Sequence, residues 1–249
     1  GRSLNYGCAA ARGRFLVFIS GHCIPMGEDW LGELVRPLED ARATYVYGRQ
    51  VGRAGLTKFS EEQLFRRYFP KRSAVPQDGF FCNNANAALS AEAWRRFPFD
   101  EELTGLEDMA LAKRLLAEGL KIGYVAESAV EHLHEESWRR VRIRYEREAF
   151  ALQKIMPEAH VTALDMVRYT AAGWMHDFGE AWRLGQLVRL APEILMFRLC
   201  QYVGAYRGSN EHRRLTQALK DRYFYPRVSE TEQAYASATD RRPVADEGA

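Results

Sequence analysis

The sequence lacks three features, each of which would place it in a distinct class of protein. It has no uninterrupted apolar run of about 18 residues, so no membrane-spanning helix is predicted. Its four cysteines lie far apart without a C-x-x-C pair, which predicts reduced thiols in a cytosolic protein and no disulfide framework. An excess of charge is also absent, because 35 basic residues face 33 acidic ones, and this balance disfavours a nucleic-acid partner.

Short apolar segments alternate with amphipathic helices over the first part of the chain. The segment Phe15–Ile19 is a continuous apolar run, typical of a strand buried on both faces of a mostly parallel sheet. Residues 44–47 and 121–125 are further predicted strands, and residues 80–97 predict an edge strand followed by a short helix. Together with a helix that begins at Asp29, this pattern predicts an α/β fold with a mostly parallel, Rossmann-like sheet flanked by helices.

From Ser137 onward the pattern changes to helix after helix. We therefore expect residues 1–150 to belong to the α/β domain, 151–227 to form an α-helical C-terminal extension, and the polar residues 228–249 to be disordered. The chain begins at Gly1 without methionine. We expect it to be a fragment of a longer protein.

An adjacent acidic pair, Glu107-Asp108, begins a helix that the apolar spacing predicts up to a stop at Gly119. A carboxylate at the mouth of a helix between a loop and a strand is well placed to take a proton from a bound substrate. The alternative is that the pair only complements the helix dipole, as acidic residues in a first turn commonly do.

Three histidines are candidate ligands for a metal ion or a phosphate. His22 lies in the loop Ser20-Gly-His22, where a predicted strand ends, and His132 and His134 are two residues apart in an extended segment, so both point to one side. A packed loop histidine is the alternative for His22. The pattern also falls short of a structural zinc site, which needs further Cys or His ligands nearby.

Two further groups have a functional and a structural interpretation. The asparagines at 83, 84 and 86 suit sugar hydroxyls, although such clusters are equally common in turns. The arginines between 139 and 147 could hold a diphosphate, although on a helix they usually form a solvated face. The aromatic residues Tyr169, Trp174, Phe178 and Trp182 are expected in the core.

The order of these motifs resembles that of the family 2 glycosyltransferases with a GT-A fold, particularly the bacterial rhamnosyltransferase-like members that build surface polysaccharides. The matching motifs over about residues 4–150 are Asn5-x-Gly7, Ala-Arg-Gly13, the strand Phe15–Ile19, a polar loop to Pro25 before Trp30-Leu31, Tyr47-Gly48-Arg49, Asn-x-Asn-Ala-Ala, Pro-Phe-Asp-Glu, Glu107-Asp108, Gly119 and His132-x-His134. The resemblance implies a GT-A-like fold whose first, nucleotide-binding strands precede Gly1.

The resemblance also implies an activity, the inverting transfer of a sugar from a nucleotide-sugar donor to a glycan or lipid-linked acceptor. Asp108 would be the general base and Glu107 would orient the acceptor. Family members usually hold Mg²⁺ or Mn²⁺ with an Asp-x-Asp loop, which is Ser20-Gly-His22 here, without acids. We therefore expect Ser20, His22 and His134 to bind the donor diphosphate, with His22 and His134 as possible metal ligands.

We expect the acceptor to contact Asn84, Asn86 and Trp94. The C-terminal extension resembles helices that lie against a membrane, and the basic and aromatic flanks of residues 187–206 permit such contact at the inner face of the cytoplasmic membrane. Packing against the domain or a second copy is the alternative for these helices. The alternative function is a non-catalytic glycan-binding or scaffolding relative, which the missing Asp-x-Asp acids favour.

Overall fold

The structure is a computed structural model that describes residues 1–210, which belong to one compact unit. The expected disordered tail 228–249 and the end of the predicted extension, 211–227, lie outside the described residues. Within them the strands are β1 Phe15–Ile19, β2 Cys23–Pro25, β3 Tyr45–Val51, β4 Asn86–Ser90 and β5 Ile122–His132. The helices there are α1 Arg2–Ala10, α2 Trp30–Glu39, α3 Phe59–Tyr68, α4 Ala91–Arg96, α5 Glu107–Ala117, α6 Trp138–Ile155, α7 Ala163–Arg183 and α8 Leu187–Ser209.

The five strands form one mixed sheet in the order β1-β4-β3-β5-β2. Of the four strand pairs among the described residues, β3 with β5 is parallel and the other three are antiparallel. The α/β class is therefore right, and the prediction of a mostly parallel sheet is wrong. An apolar run reports how deeply a strand is buried but not the direction of its neighbours.

The sequence predicts β1 inside the sheet and β4 at its edge, and the structure has them the other way round. β1 lies at the edge of the described sheet, and Val17 and Ile19 are 39% and 44% exposed, so it is not buried on both faces. β4, predicted at an edge, lies inside the sheet between β1 and β3 with Ala87, Ala88 and Leu89 fully buried. The small alanine side chains of β4 give a weaker apolar signal than the large residues of β1.

The parallel pair β3–β5 contains an irregularity in its centre. Gly48 pairs with Val125, but the next residue, Arg49, pairs with Ala129, so the register shifts at this point. A side chain on Gly48 would approach the Asn86 side chain and the Ser128 carbonyl oxygen within 3.0 Å. Gly48 is thus the residue that lets the bulge close over Asn86.

Helix α5 forms as the sequence predicts and presents the acidic pair in its first turn. Its buried face consists of Leu111, Ala112 and Leu115, which pack into the largest apolar core. Leu106 precedes it with a φ of 56°, and Gly119 follows it with a φ of +74°. The left-handed Leu106 turns the chain sharply before Glu107 and Asp108.

The C-terminal helices α6 and α7 each pack against α8, and an ion pair is buried between α7 and α8. Asp177 on α7 accepts two hydrogen bonds from the Arg198 guanidinium on α8, at 2.7 and 2.8 Å, and both side chains are almost inaccessible. Burial by itself would raise the pKa of Asp177, but bonding to Arg198 lowers it below its usual value. None of the helices within residues 1–210 has the length and apolarity to cross a bilayer.

The aromatic residues of these helices divide between core and surface. Trp174 and Phe178 pack against the α7–α8 core, as expected. Tyr169 and Trp182 are 45% and 74% exposed, so the prediction that they belong to the core is wrong. Helical spacing alone did not separate the two groups, because both lie on the same amphipathic helix.

We predict that Gly48→Ala lowers the free energy of unfolding by about 1–3 kcal/mol, since the added carbon must displace a backbone carbonyl in a closed bulge. Gly179→Ala is the matched control, because its added carbon meets no atom within 4 Å in the described structure and replaces glycine inside a helix. It should leave stability unchanged or raise it by about 0.5–1 kcal/mol. Urea unfolding of both variants measures the difference, and an equal response would contradict the close approach at Gly48.

We predict that Asp177→Ala destabilises the protein by about 3–5 kcal/mol, because it leaves the Arg198 guanidinium buried and unpaired. Glu180→Ala, on the same helix, breaks an exposed pair with Arg183 and should cost less than about 1 kcal/mol. Thermal and urea unfolding compare the two. Equal losses would show that Arg198 reaches solvent.

Candidate functional site

Asp108 lies half-buried at the start of α5, with its carboxylate anchored by backbone amides. The backbone N–H of Asn84 donates to its Oδ2 at 2.8 Å, and the N–H of Met109 donates to its Oδ1 at 2.8 Å. Burial, and then the charge of Glu107, raise the pKa of Asp108 to about 6, although the amide bonds oppose this shift. A carboxylate with this pKa accepts a proton near neutral pH more readily than an ordinary aspartate.

Glu107 lies beside it with its side chain about one-fifth exposed. Its Oε1 lies 2.9 Å from the backbone nitrogen of Gly1. The two carboxylates of the acidic pair therefore have different surroundings, and that of Asp108 is the one anchored by two backbone amides.

The three histidines meet where the edge strand β2 pairs with β5. Strand β2 pairs antiparallel with β5, so that Cys23 lies opposite His132, and the N–H of Leu133 donates to the carbonyl of His22 at 3.0 Å. The ring centroids of His22 lie 4.8 Å from His132 and 5.4 Å from His134, and those of His132 and His134 are 4.0 Å apart. His132 is buried, His134 is half-buried and His22 is exposed.

Two acceptors fix the orientation of the buried imidazoles. His132 donates through Nδ1 to Gln50 Oε1 at 2.6 Å, and His134 donates through Nδ1 to Glu61 Oε1 at 2.7 Å. In the neutral form, each ring then keeps a lone pair on Nε2. The Nε2 of His132 is buried without a hydrogen-bond partner among the described residues.

The electrostatics keep His132 and His22 neutral. Burial and then the neighbouring His134 lower the pKa of both, that of His132 to about 2. Burial alone would raise the pKa of Glu61, but the hydrogen bond from His134 and the charge of Arg144 lower it below its ordinary value. Arg144 bonds to Glu61 at 2.6 Å and to Glu136 at 2.9 Å, so this arginine is paired inside the protein and not part of a solvated face.

A hydrogen-bonded segment, residues 83–86, connects the acidic pair with the histidines. Gln50, the acceptor for His132, donates through Nε2 to Asn83 Oδ1 at 2.9 Å, and the next residue, Asn84, donates to Asp108. Tyr45 donates to Asn84 Oδ1 at 2.5 Å. The two candidate centres therefore lie on either side of one fixed segment.

The predicted acceptor residues have different environments. Asn84 adjoins Asp108, whereas Asn86 is fully buried, accepting from Trp30 Nε1 at 3.0 Å and donating to the Ser128 carbonyl at 2.8 Å. Trp94 donates to Asn5 Oδ1 at 3.0 Å and packs against the core beside α1. The polar side-chain groups of Asn86 and Trp94 are thus bonded to other residues of the protein, whereas Asn84 lies beside Asp108.

Ser20 occupies a turn between β1 and β2. Its N–H donates to the carbonyl of Ala85 at 3.1 Å, and its own carbonyl accepts from Cys23 at 2.9 Å. Ser20 therefore ties the histidine loop to the segment 83–86.

A groove of about 730 Å³ opens beside the histidine centre. Gln50 and Phe65, which stacks on His132, form part of its wall. Three cationic side chains, those of Arg49, Arg66 and Lys71, line it together with the carboxylate of Glu62, which pairs with Arg66. The net positive charge of this lining suits an anionic ligand.

Two of these residues, Gln50 and Glu61, were not assigned a role from the sequence, and both are buried in the structure. Gln50 gives one usable sequence signal, since it is a polar residue in the largely apolar strand β3. A polar residue in an apolar strand such as β3 usually has a specific partner. The partner itself lies too far along the chain to be identified by spacing.

The mixed sheet and the helices that flank it form an α/β fold of the GT-A-like type. The solved mannosyltransferase PcManGT from Pyrobaculum calidifontis, in complex with GDP-Man and Mn²⁺, shares this fold at a TM-score of 0.53 and 16% identity. The match covers 82% of this chain and 64% of that one, so the chain spans less than two thirds of its length. No curated protein sequence matches the chain.

A family model described as glycosyltransferase like family 2 matches residues 1–151. The chain belongs to this family.

We predict that Asp108→Asn gains stability relative to the wild type as pH rises from 4 to 7.5. Because the folded pKa of about 6 exceeds the ordinary value of 3.8, ionising Asp108 costs the folded state of the wild type free energy over this range. The amide stays neutral and keeps an oxygen acceptor for Asn84, and it loses the bond from Met109 at both pH values. The difference in the free energy of unfolding, variant minus wild type, should therefore rise by about 2 kcal/mol between pH 4 and pH 7.5, as urea titrations at both values will test. A difference that is the same at the two pH values would contradict the raised pKa.

Proposed function

We propose that the protein transfers a sugar from a nucleotide-sugar donor to a hydroxyl of a glycan or lipid-linked acceptor, with Asp108 as general base. The observation that supports this most strongly is the Asp108 carboxylate, held by the Asn84 amide with a pKa near 6. Membership of the family and a fold shared with a GDP-Man-bound mannosyltransferase support a nucleotide-sugar donor.

In the proposed reaction, Asp108 takes the proton of the acceptor hydroxyl as its oxygen attacks the anomeric carbon of the donor. The bond from that carbon to the diphosphate oxygen breaks in the same step, and the nucleoside diphosphate leaves with its electron pair. A single displacement inverts the anomeric configuration. Glu107 orients the acceptor, and base catalysis of this kind contributes about a hundredfold to ten-thousandfold.

The leaving diphosphate requires positive charge or hydrogen-bond donors. Ser20, His22 and His134 are the residues we propose to face it, and the orphaned Nε2 of His132 supports the suitability of this end of the sheet for a metal ion. A divalent ion held by these histidines would supply charge neutralisation at the diphosphate. Arg49, Arg66 and Lys71 in the adjacent groove favour a charged substrate at the same end.

We further propose a role in bacterial surface polysaccharide synthesis at the inner face of the cytoplasmic membrane, as in the rhamnosyltransferase-like members. The hairpin of α7 and α8 supports peripheral contact with lipid, because Trp182 and Val188 are 74% and 92% exposed next to Arg183 and Arg189. Apolar side chains flanked by arginines suit an anionic interface.

We predict that Asp108→Asn in the full gene product lowers the turnover number at least about a hundredfold while the fold is retained. Asp78→Asn, at an exposed position of the 70–85 loop, is the control and should retain activity. Transfer of radiolabelled sugar to an extracted glycan-lipid fraction measures both, with product linkage read by NMR. The wild-type rate should rise with pH through about 6, as Asp108 loses its proton.

Retained turnover in Asp108→Asn would refute the role of this residue. A full gene product that shows no calorimetric signal with any nucleoside diphosphate would instead support the scaffolding alternative. The two results are separable, because donor still binds when only the role of Asp108 is refuted, whereas a scaffolding protein would not bind donor at all.

A further inference from the structure

We propose that His22, His132 and His134 form a three-histidine centre that binds a transition-metal ion of the zinc class in preference to Mg²⁺. One ligand nitrogen from each residue lies within 4.8 Å of the others. A tetrahedral zinc site with Zn–N bonds of 2.0–2.1 Å has ligand nitrogens about 3.3 Å apart. Closure around an ion therefore needs a shift of an ångström or two, which the exposed His22 on its short loop can supply.

The buried part of the centre is prepared for an ion by its hydrogen bonds. Gln50 and Glu61 accept from the Nδ1 atoms of His132 and His134, which directs both Nε2 lone pairs away from these partners. Metal-bound histidines almost always have such an acceptor on their second nitrogen. The unpartnered Nε2 of His132 is otherwise a buried polar atom that costs free energy.

The ligand chemistry indicates which ions are preferred. All three candidate ligands are imidazoles, which suit Zn²⁺, Co²⁺, Ni²⁺ and Cu²⁺, whereas Mg²⁺ and to a lesser degree Mn²⁺ prefer carboxylate and water oxygens. The nearest carboxylates, those of Glu61 and Glu136, could form an alternative oxygen-containing site with His134. Both already pair with Arg144, so ion binding there would add a second positive charge beside the guanidinium.

Three protein ligands leave a coordination position open, as in catalytic zinc sites. We infer that this position faces an oxygen of the donor diphosphate, an assignment that rests on the proposed transferase function. The preference for a zinc-class ion does not depend on it, since the ion is measured without donor.

The experiment is a metal titration of the full chain after chelator treatment and dialysis. Co²⁺ should bind at one equivalent per chain, with the visible absorption of a four- or five-coordinate ion. Zn²⁺ should displace it stoichiometrically, and a hundredfold excess of Mg²⁺ should not. Displacement of Co²⁺ by Mg²⁺ at comparable concentrations, or no binding of either Co²⁺ or Zn²⁺, would overturn the proposal.

Substitution of each candidate residue tests whether it is a ligand of the ion. His22→Ala, on an exposed loop, and His132→Asn should each weaken Co²⁺ binding more than about a hundredfold, and Gln50→Leu about ten- to a hundredfold. His160→Ala removes an exposed histidine outside the centre and should bind as the wild type. Circular dichroism verifies folding, and if His132→Asn does not fold, His22→Ala decides. Wild-type binding by a folded His22→Ala would overturn the centre, whereas sugar transfer without any added metal would count only against the diphosphate role.

Discussion

The segment 83–86 is the constraint on which both candidate centres depend. Each of its three asparagines bonds to a different part of the molecule: the first to Gln50, Asn84 to Asp108 and Tyr45, and Asn86 to Trp30 and Ser128. These groups lie within or beside the protein core, where an unmade hydrogen bond costs about 1–3 kcal/mol. The segment therefore has one low-energy arrangement, and this arrangement fixes the distance between the acidic pair and the histidines.

The two centres use burial in opposite ways. Asp108 is shielded without a cation and next to Glu107, so its pKa rises to about 6. Glu61 is at least as buried, but His134 and Arg144 stabilise its charge and lower its pKa. The carboxylate that we propose to exchange a proton is thus kept apart from cations, whereas the one that bonds to a histidine is kept charged. This division of roles follows from the neighbours of each residue, not from its residue type.

The sequence predicted the elements that depend on local signals. Helix α5 with Asp108 in its first turn, strand β1 and the start of α6 at Ser137 all have clear periodicity or caps, and the structure has them where expected. Strand direction and order were not predictable from these signals, because they depend on pairing between distant segments. The same applies to the histidine centre: His22 comes next to His132 only through the β2–β5 pair, and Gln50 only through the β3–β5 pair.

The bulge at Gly48 links this topology to the chemistry. Gly48 of β3 pairs with Val125, the next residue of β3 pairs with Ala129, and residues 126–128 of β5 therefore have no partner on β3. Such a bulge would leave polar backbone atoms unpaired inside the sheet, but Asn86 donates to the Ser128 carbonyl there. Beyond the bulge, Gln50 lies within hydrogen-bonding distance of His132, which in turn lies opposite Cys23 beside the His22 loop. A straight, regular pair of strands would place Gln50 opposite a different residue, so the irregular register is a structural requirement of the histidine centre.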